Sequence, residues 1–413
     1  MGLTSRTFLV ALSVLAIALI VTLVWLWPKL AGRGWKPVLG RIGALLLTQA
    51  VLVGLLAAMG NRYFLFYTSW DDLMGKTGKP KLHNGPGGPE APIQAIKLKD
   101  TERVDIPNGG NPLTAGQIVG IDVTGRRSGL DTSGYVYLPP QYFQPQFKDR
   151  QFPVVVTLTG YPGDARNLIT RLQVPRLAAE EITAGRVQPT IYVMLRPSQT
   201  PGRDTECTDV PGGPQSGMFF TQDLPEAIRA TFRAAPGAKA WGMMGDSTGG
   251  YCALKLAMLN SDRIAAGASL SGDYGAPQDG DTGDLYGGSK EYRNSQDLIW
   301  RLKNLPPAPV SLMLTTSLDE SNYGATQEFL KLVKSPTKAD QLVLPTGGHN
   351  FKTWVALLPD VMRWMSTHQE VPGAPGTPGG PGGAPGGPGG AGGPGAPGTP
   401  AGAGNVPATA PKP

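Results

Sequence analysis

Met243-Met244-Gly245-Asp246-Ser247-Thr248-Gly249-Gly250-Tyr251-Cys252 leaves its backbone few options. The apolar run over residues 240–244 reads as a short buried strand, and residues 251–259 read as a helix of small and apolar side chains. Between them stands a Gly-x-Ser-x-Gly-Gly turn. A strand that reverses so sharply into a helix has no room for Cβ atoms beside the turn, and the helix must lie close against the strand. In that setting a serine hydroxyl is pushed out at the top of a sheet, where it can act as a nucleophile. The bare pattern says little in a chain with 57 glycines. The strand before it and the helix after it are what make Ser247 the candidate.

A serine nucleophile needs a base, and the chain offers three histidines. His83 lies in a Lys/Pro/Gly stretch where nothing would hold an imidazole still. His368 closes the last helical pattern, just ahead of a Gly/Pro tail. His349, in Thr346-Gly347-Gly348-His349-Asn350-Phe351, follows a strand-like run at 341–344 and precedes a helix. Elimination therefore pairs His349 with Ser247. Hydrolases of this α/β kind run nucleophile, acid, histidine along the chain, so the acid is sought between the two. Residues 309–316 read as a buried strand, and Ser317-Leu318-Asp319-Glu320 follows its end. A carboxylate there can accept the imidazole Nδ1–H, fix the tautomer and stabilise the imidazolium. Asp319 is the first choice, with Glu320 open beside it; either could instead serve the N-terminus of a helix at 325–333.

The region around this motif alternates strand and helix patterns. Strands are expected at 117–123, 134–138, 152–158, 190–195 and 265–271, with helices at 169–181 and 222–232. That alternation implies an α/β fold, a mostly parallel sheet with helices on both faces. In such a fold one oxyanion donor is the backbone N–H after the nucleophile, here Thr248. The other comes from the turn Thr159-Gly160-Tyr161-Pro162-Gly163, where Tyr161 is placed to give it. Residues 272–306 form a polar insertion with Asp273, Asp279, Asp281, Asp284 and Glu291. Its spacing is not that of a calcium loop, so a solvated, lid-like excursion is expected and no metal or cofactor is implied.

Both ends differ in composition from this middle. Residues 7–27 and 42–59 are almost wholly apolar and long enough to span a bilayer. The first run is too long for a signal peptide and lacks a small-x-small cleavage site, so two anchoring helices are expected. Lys29, Arg33, Lys36 and Arg41 lie between them, against Arg6 alone before them. The positive-inside rule then puts that loop in the cytoplasm and the rest of the chain outside. Trp25, Trp27 and Trp35 would mark the inner interface, and Tyr63, Phe64, Phe66, Tyr67 and Trp70 the outer one. Two cysteines, Cys207 and Cys252, suit a disulfide in an exported domain. The net charge of +6 is spread along the chain, with no basic stripe or stacking motif for nucleic acid. The organisation expected is an anchor at 1–60, a juxtamembrane segment and Gly/Pro/Lys linker at 61–114, a catalytic region at 115–370, and a Gly/Pro-rich tail at 371–413. That tail has too few large apolar residues to offset chain entropy, and its composition predicts disorder.

Leu158-Thr159-Gly160-Tyr161, Asp223-Leu224-Pro225, Gly245-Asp246-Ser247-Thr248-Gly249-Gly250 and Gly348-His349-Asn350-Phe351 together resemble the putative-esterase family of α/β-hydrolases. That family includes esterase D, enterochelin esterases and the secreted mycolyltransferases. The resemblance covers about residues 116–366, and the Ser247 and His349 motifs are its most specific parts. The two anchors and the Gly/Pro tail look like the membrane-tethered esterases of high-GC Gram-positive bacteria. The resemblance implies an α/β-hydrolase fold, Ser247, Asp319 and His349 as triad, and Tyr161 and Thr248 as oxyanion donors. The function expected is a membrane-tethered, extracytoplasmic serine esterase that cleaves carboxylic esters through an acyl-enzyme, without a cofactor. Its rivals are an acyltransferase that moves the acyl group to a sugar or envelope hydroxyl, and a non-catalytic envelope binding protein. The chain departs from the secreted mycolyltransferases in its two anchors and its Asp-Glu pair.

Overall fold

The computed structural model describes residues 2–3, 5–64, 70–74, 95–200 and 202–371. The linker at 75–92 with His83, the aromatic residues Phe66 and Tyr67, and the tail from 372 onward lie outside the described residues, as do the side chains of Tyr63 and Phe64.

Two helices come first, α1 (Arg6–Leu26) and α2 (Trp35–Phe64). Their most apolar windows have mean hydropathies of 2.9 and 2.2, and both helices are long enough to cross a membrane. Their large side chains are turned outward: Val21, Val24 and Leu56 are all more than 60% exposed. A helix apolar on every side is stable only where something apolar surrounds it, and lipid would supply that.

Nine strands then form one sheet: β1 (Ile96–Glu102), β2 (Gln117–Thr124), β3 (Asp131–Leu138), β4 (Val154–Leu158), β5 (Ile191–Leu195), β6 (Trp241–Asp246), β7 (Ala266–Leu270), β8 (Ser311–Ser317) and β9 (Lys338–Leu344). They lie in the order β1-β2-β3-β5-β4-β6-β7-β8-β9. β1, β2, β3 and β5 pair antiparallel in succession, and every later pair is parallel. β4 to β7 are buried at every position, as strands covered on both faces must be. Side chains alternate between two cores. Val154, Val156 and Leu158 of β4 join one core with α4 (Leu224–Thr231), α5 (Thr248–Leu259) and α6 (Tyr323–Leu332). Val155 joins the other with α3 (Val174–Thr183) and α7 (Phe351–Thr367). The fold is the expected one.

Four elements depart from the sequence reading. β1 lies within the stretch expected as juxtamembrane segment and linker, and pairs with β2 at the edge of the sheet. The helix expected at 169–181 is split into Arg166–Thr170 and α3 by Gln173, which stands at φ 60°. The helix expected from 222 begins as a π turn, Phe219–Asp223, before Leu224 and Pro225 open α4. The insertion at 272–306 is packed rather than solvated: Tyr274, Leu285, Tyr286 and Leu298 are buried, and two helices form at Lys290–Gln296 and Leu298–Asn304. Its acids are taken up by its own turns. Asp279 Oδ1 accepts the amides of Asp281 and Thr282, and Asp284 accepts those of Tyr286 and Gly288.

Candidate active site

β6 ends in the sheet's centre, and Ser247 stands between it and α5 at φ 53°, ψ −123°. Few non-glycine residues adopt such a conformation, so its neighbours must impose it. Leu270 O accepts the Ser247 amide at 3.0 Å on the β7 side. On the β4 side, a Cβ added to Gly160 would lie 2.9 Å from Ser247 Cβ, and one on Gly249 would overlap the Leu158 carbonyl. The glycines are there because two strand ends and a helix meet at backbone distance.

His349 Nε2 lies 2.9 Å from Ser247 Oγ. The loop after β9 carries the imidazole, and Asn350 caps α7 directly behind it by accepting the Thr353 amide at 3.2 Å. Trp354, one turn into that helix, meets the ring edge-on with centroids 5.0 Å apart. The imidazole is thus held on one side and open to solvent on the other, its side chain 53% exposed.

At the acid position the structure brings the second candidate, and not the first, to His349. Asp319 is exposed, and its Oδ2 accepts the Gly347 amide at 3.2 Å, with no ion pair to His349. Glu320 is the carboxylate that faces His349, Oε1 lying 3.5 Å from Nδ1. Its other oxygen is held from three sides: Ser271 Oγ at 2.8 Å, the Ser317 amide at 3.1 Å and Thr316 Oγ1 at 3.1 Å. Trp354 Nε1 donates to the same Ser271 hydroxyl at 3.0 Å, so the residue that packs the imidazole also braces the acid. Glu320 Oε1 is buried and has no hydrogen-bond partner, which leaves it directed to the imidazole alone. The 3.5 Å gap is at the upper limit for a hydrogen bond.

Tyr161 follows Gly160 in the turn beyond β4, and Thr248 is the first residue of α5. The helix start leaves backbone N–H groups without intrahelical acceptors, as an oxyanion site requires.

The expected Cys207–Cys252 disulfide is present, and around it stand Asp204, Glu206, Thr208 and Lys255, which sequence reasoning did not single out. One face of α5 grips the loop after β5 at three successive points. Thr248 Oγ1 donates to Asp204 Oδ2 at 3.3 Å, Cys252 is bonded to Cys207, and Lys255 Nζ donates to Glu206 O and, at 2.8 Å, to Thr208 Oγ1. Positions 248, 252 and 255 share a face by helical spacing alone. Between them they hold Glu206 and Cys207 at φ 47° and 52°. Burial lowers the Lys255 ammonium to about 8, raises the Asp204 carboxyl to about 6, and raises that of Glu206 well above the carboxylate range. The cysteine pair flagged the contact between α5 and this loop, and a lysine in an otherwise apolar helix pattern was the remaining signal. Among the described residues no group of three or more His, Cys, Asp and Glu is arranged to hold a metal ion.

Sheet order and a serine elbow at the end of β6 define an α/β-hydrolase, a class whose working serine sits at this turn. Residues 126–365 match the family described as "Putative esterase", and the chain belongs to that family. The sequence is 24% identical over 253 residues to an uncharacterised protein of Corynebacterium glutamicum. The match covers 58% of this chain and spans 58% of that relative's length. Among solved structures, an S-formylglutathione hydrolase from Agrobacterium tumefaciens superposes with a TM-score of 0.53 at 16% identity, over 62% of this chain and 97% of that one. A ferulic acid esterase gives 0.51 at 17%, over 62% and 98%. These two likenesses establish the fold.

Proposed function

We propose that the chain is a membrane-tethered serine esterase, with Ser247 as nucleophile, His349 as base and Glu320 as the acid. The observation that carries this reading is the line from Ser247 Oγ through the His349 ring to Glu320 Oε1, with gaps of 2.9 and 3.5 Å. Ser247 Oγ attacks the ester carbonyl carbon while Nε2 takes its proton. The carbonyl oxygen becomes an oxyanion between the amides of Thr248 and Tyr161. The imidazolium, stabilised by Glu320, gives its proton to the departing alkoxide. Water, deprotonated by the same imidazole, then attacks the acyl-enzyme and releases the acid. The substrate class is a carboxylic ester.

Placement outside the cytoplasm rests on Lys29, Arg33, Lys36 and Arg41 between the two apolar helices, and the Cys207–Cys252 bond suits an oxidising compartment. A fluorophosphonate probe tests the nucleophile: it should label Ser247 in the full chain and leave Ser247→Ala unlabelled. Labelling that persists in Ser247→Ala would remove the assignment. Protease added to intact cells should digest the catalytic region, and its survival there would overturn the topology.

A further inference from the structure

The β4–β6 ladder stops at the pair Leu158–Gly245, and the last amide of the neighbouring β4–β5 ladder, Thr159 N, is accepted by Leu195 O at 3.2 Å. The next amide, Gly160 N, has passed beyond the sheet. It donates to Asp246 Oδ2 at 3.0 Å. Asp246 is the last residue of β6, directly before Ser247, and it is 1% exposed. Its Oδ1 is also buried and has no hydrogen-bond partner. A carboxyl group is an expensive side chain to bury at this point unless its one accepted bond matters. Gly160 lies against Ser247 Cβ and immediately precedes Tyr161, so whatever holds its amide holds the turn that faces the nucleophile.

We propose that Asp246 is a positioning residue for the oxyanion site: by accepting the Gly160 amide it fixes the Tyr161 N–H against the Thr248 N–H across the nucleophile. This rests on the serine-esterase reading above. The Gly160 bond needs an acceptor oxygen and not a charge. Burial, which raises the carboxyl to about 7, favours the neutral form, and an amide oxygen meets the same need.

The test uses the full chain in detergent, first confirming that a fluorophosphonate labels Ser247 in the wild type; failure there brings down the esterase reading itself. Asp246→Leu fills the same space without an acceptor and Asp246→Asn keeps one. Turnover of p-nitrophenyl butyrate is measured alongside binding of a trifluoromethyl ketone. That ketone forms a hemiketal with Ser247: the Oγ–carbon bond forms, the proton passes to His349, and the ketone oxygen becomes the oxyanion. Asp246→Leu should lower kcat by about 100-fold with KM within about threefold, as loss of one oxyanion donor does, and weaken the ketone by a similar factor. Asp246→Asn should recover most of both. Wild-type kcat in Asp246→Leu, or an Asp246→Asn as impaired as Asp246→Leu, would overturn the proposal. Should Asp246→Leu fail to fold, hydrogen exchange at Gly160 in the wild type and Asp246→Asn decides: protection in both supports the latch, and rapid exchange in either refutes it.

Discussion

Glu320 owes its place to the work done by one of its oxygens. Ser271, Ser317 and Thr316 surround Oε2, which leaves Oε1 to the imidazole, while the adjacent Asp319 looks to the Gly347 amide from the surface. Glu320→Gln should therefore lower kcat by roughly three to four orders of magnitude, as removing the acid does in other triads. Asp319→Asn should stay within several-fold of wild type in the same ester assay. The reverse ranking would return the role to Asp319. That Ser247 and His349 would meet was legible in the sequence, because one stands in a glycine-framed turn and the other in a loop between a strand and a helix. Which carboxylate would face His349 was not, since two consecutive carboxylates differ only in which way the turn after β8 points them. Asp246 was in plain view inside the motif, but only the approach of Gly160 gives it a task.

Among the elements, α3 and α7 are clamped together by Glu181, 4% exposed, whose two oxygens take Arg186 at 2.8 Å and Arg363 at 2.7 and 3.0 Å. The hydrogen bonds from Arg186, then those from Arg363, hold its carboxyl down to about 2, from an ordinary value of 4.5. A depressed acid stabilises the folded chain fully above its ordinary value and loses that contribution as the pH falls through the folded one. Glu181→Gln should thus cost about 1–2 kcal/mol of stability at pH 7, both arginines being partly exposed, and the gap should close between about pH 4.5 and 2. Urea titrations at several pH values check this, and a gap independent of pH would contradict it. The central strands were readable as elements because burial on both faces demands unbroken apolar runs. β1 was not: of Ile96-Lys97-Leu98-Lys99-Asp100-Thr101-Glu102 only Ile96 is buried, and charged residues along an edge strand hide its pairing while protecting the edge. In the insertion the aspartates are exposed, as read, and Asp279 and Asp284 bind the amides of its turns; what the sequence hid was the packing of Tyr274, Leu285 and Tyr286 beneath them.

At the scale of the whole chain, two apolar helices precede an esterase-family region whose candidate serine helix is fastened to the loop after β5. The disulfide closes a 45-residue separation, which the chain-entropy model values at about 4 kcal/mol. Thr248 and Lys255 grip the same loop from either side of it, so the wall beside Ser247 is fixed at three points along α5. Rigidity of that kind serves a site that must present one hydroxyl to an ester carbonyl in a fixed geometry. The most direct measurement is to mix the detergent-solubilised chain with p-nitrophenyl butyrate, quench within the first turnover and weigh the peptide that carries Ser247. A burst of about one equivalent of nitrophenol and a butyryl mass on Ser247 are expected, both absent from Ser247→Ala. Steady turnover that Ser247→Ala retains, with no acyl mass on that peptide, would contradict the role of Ser247 as nucleophile.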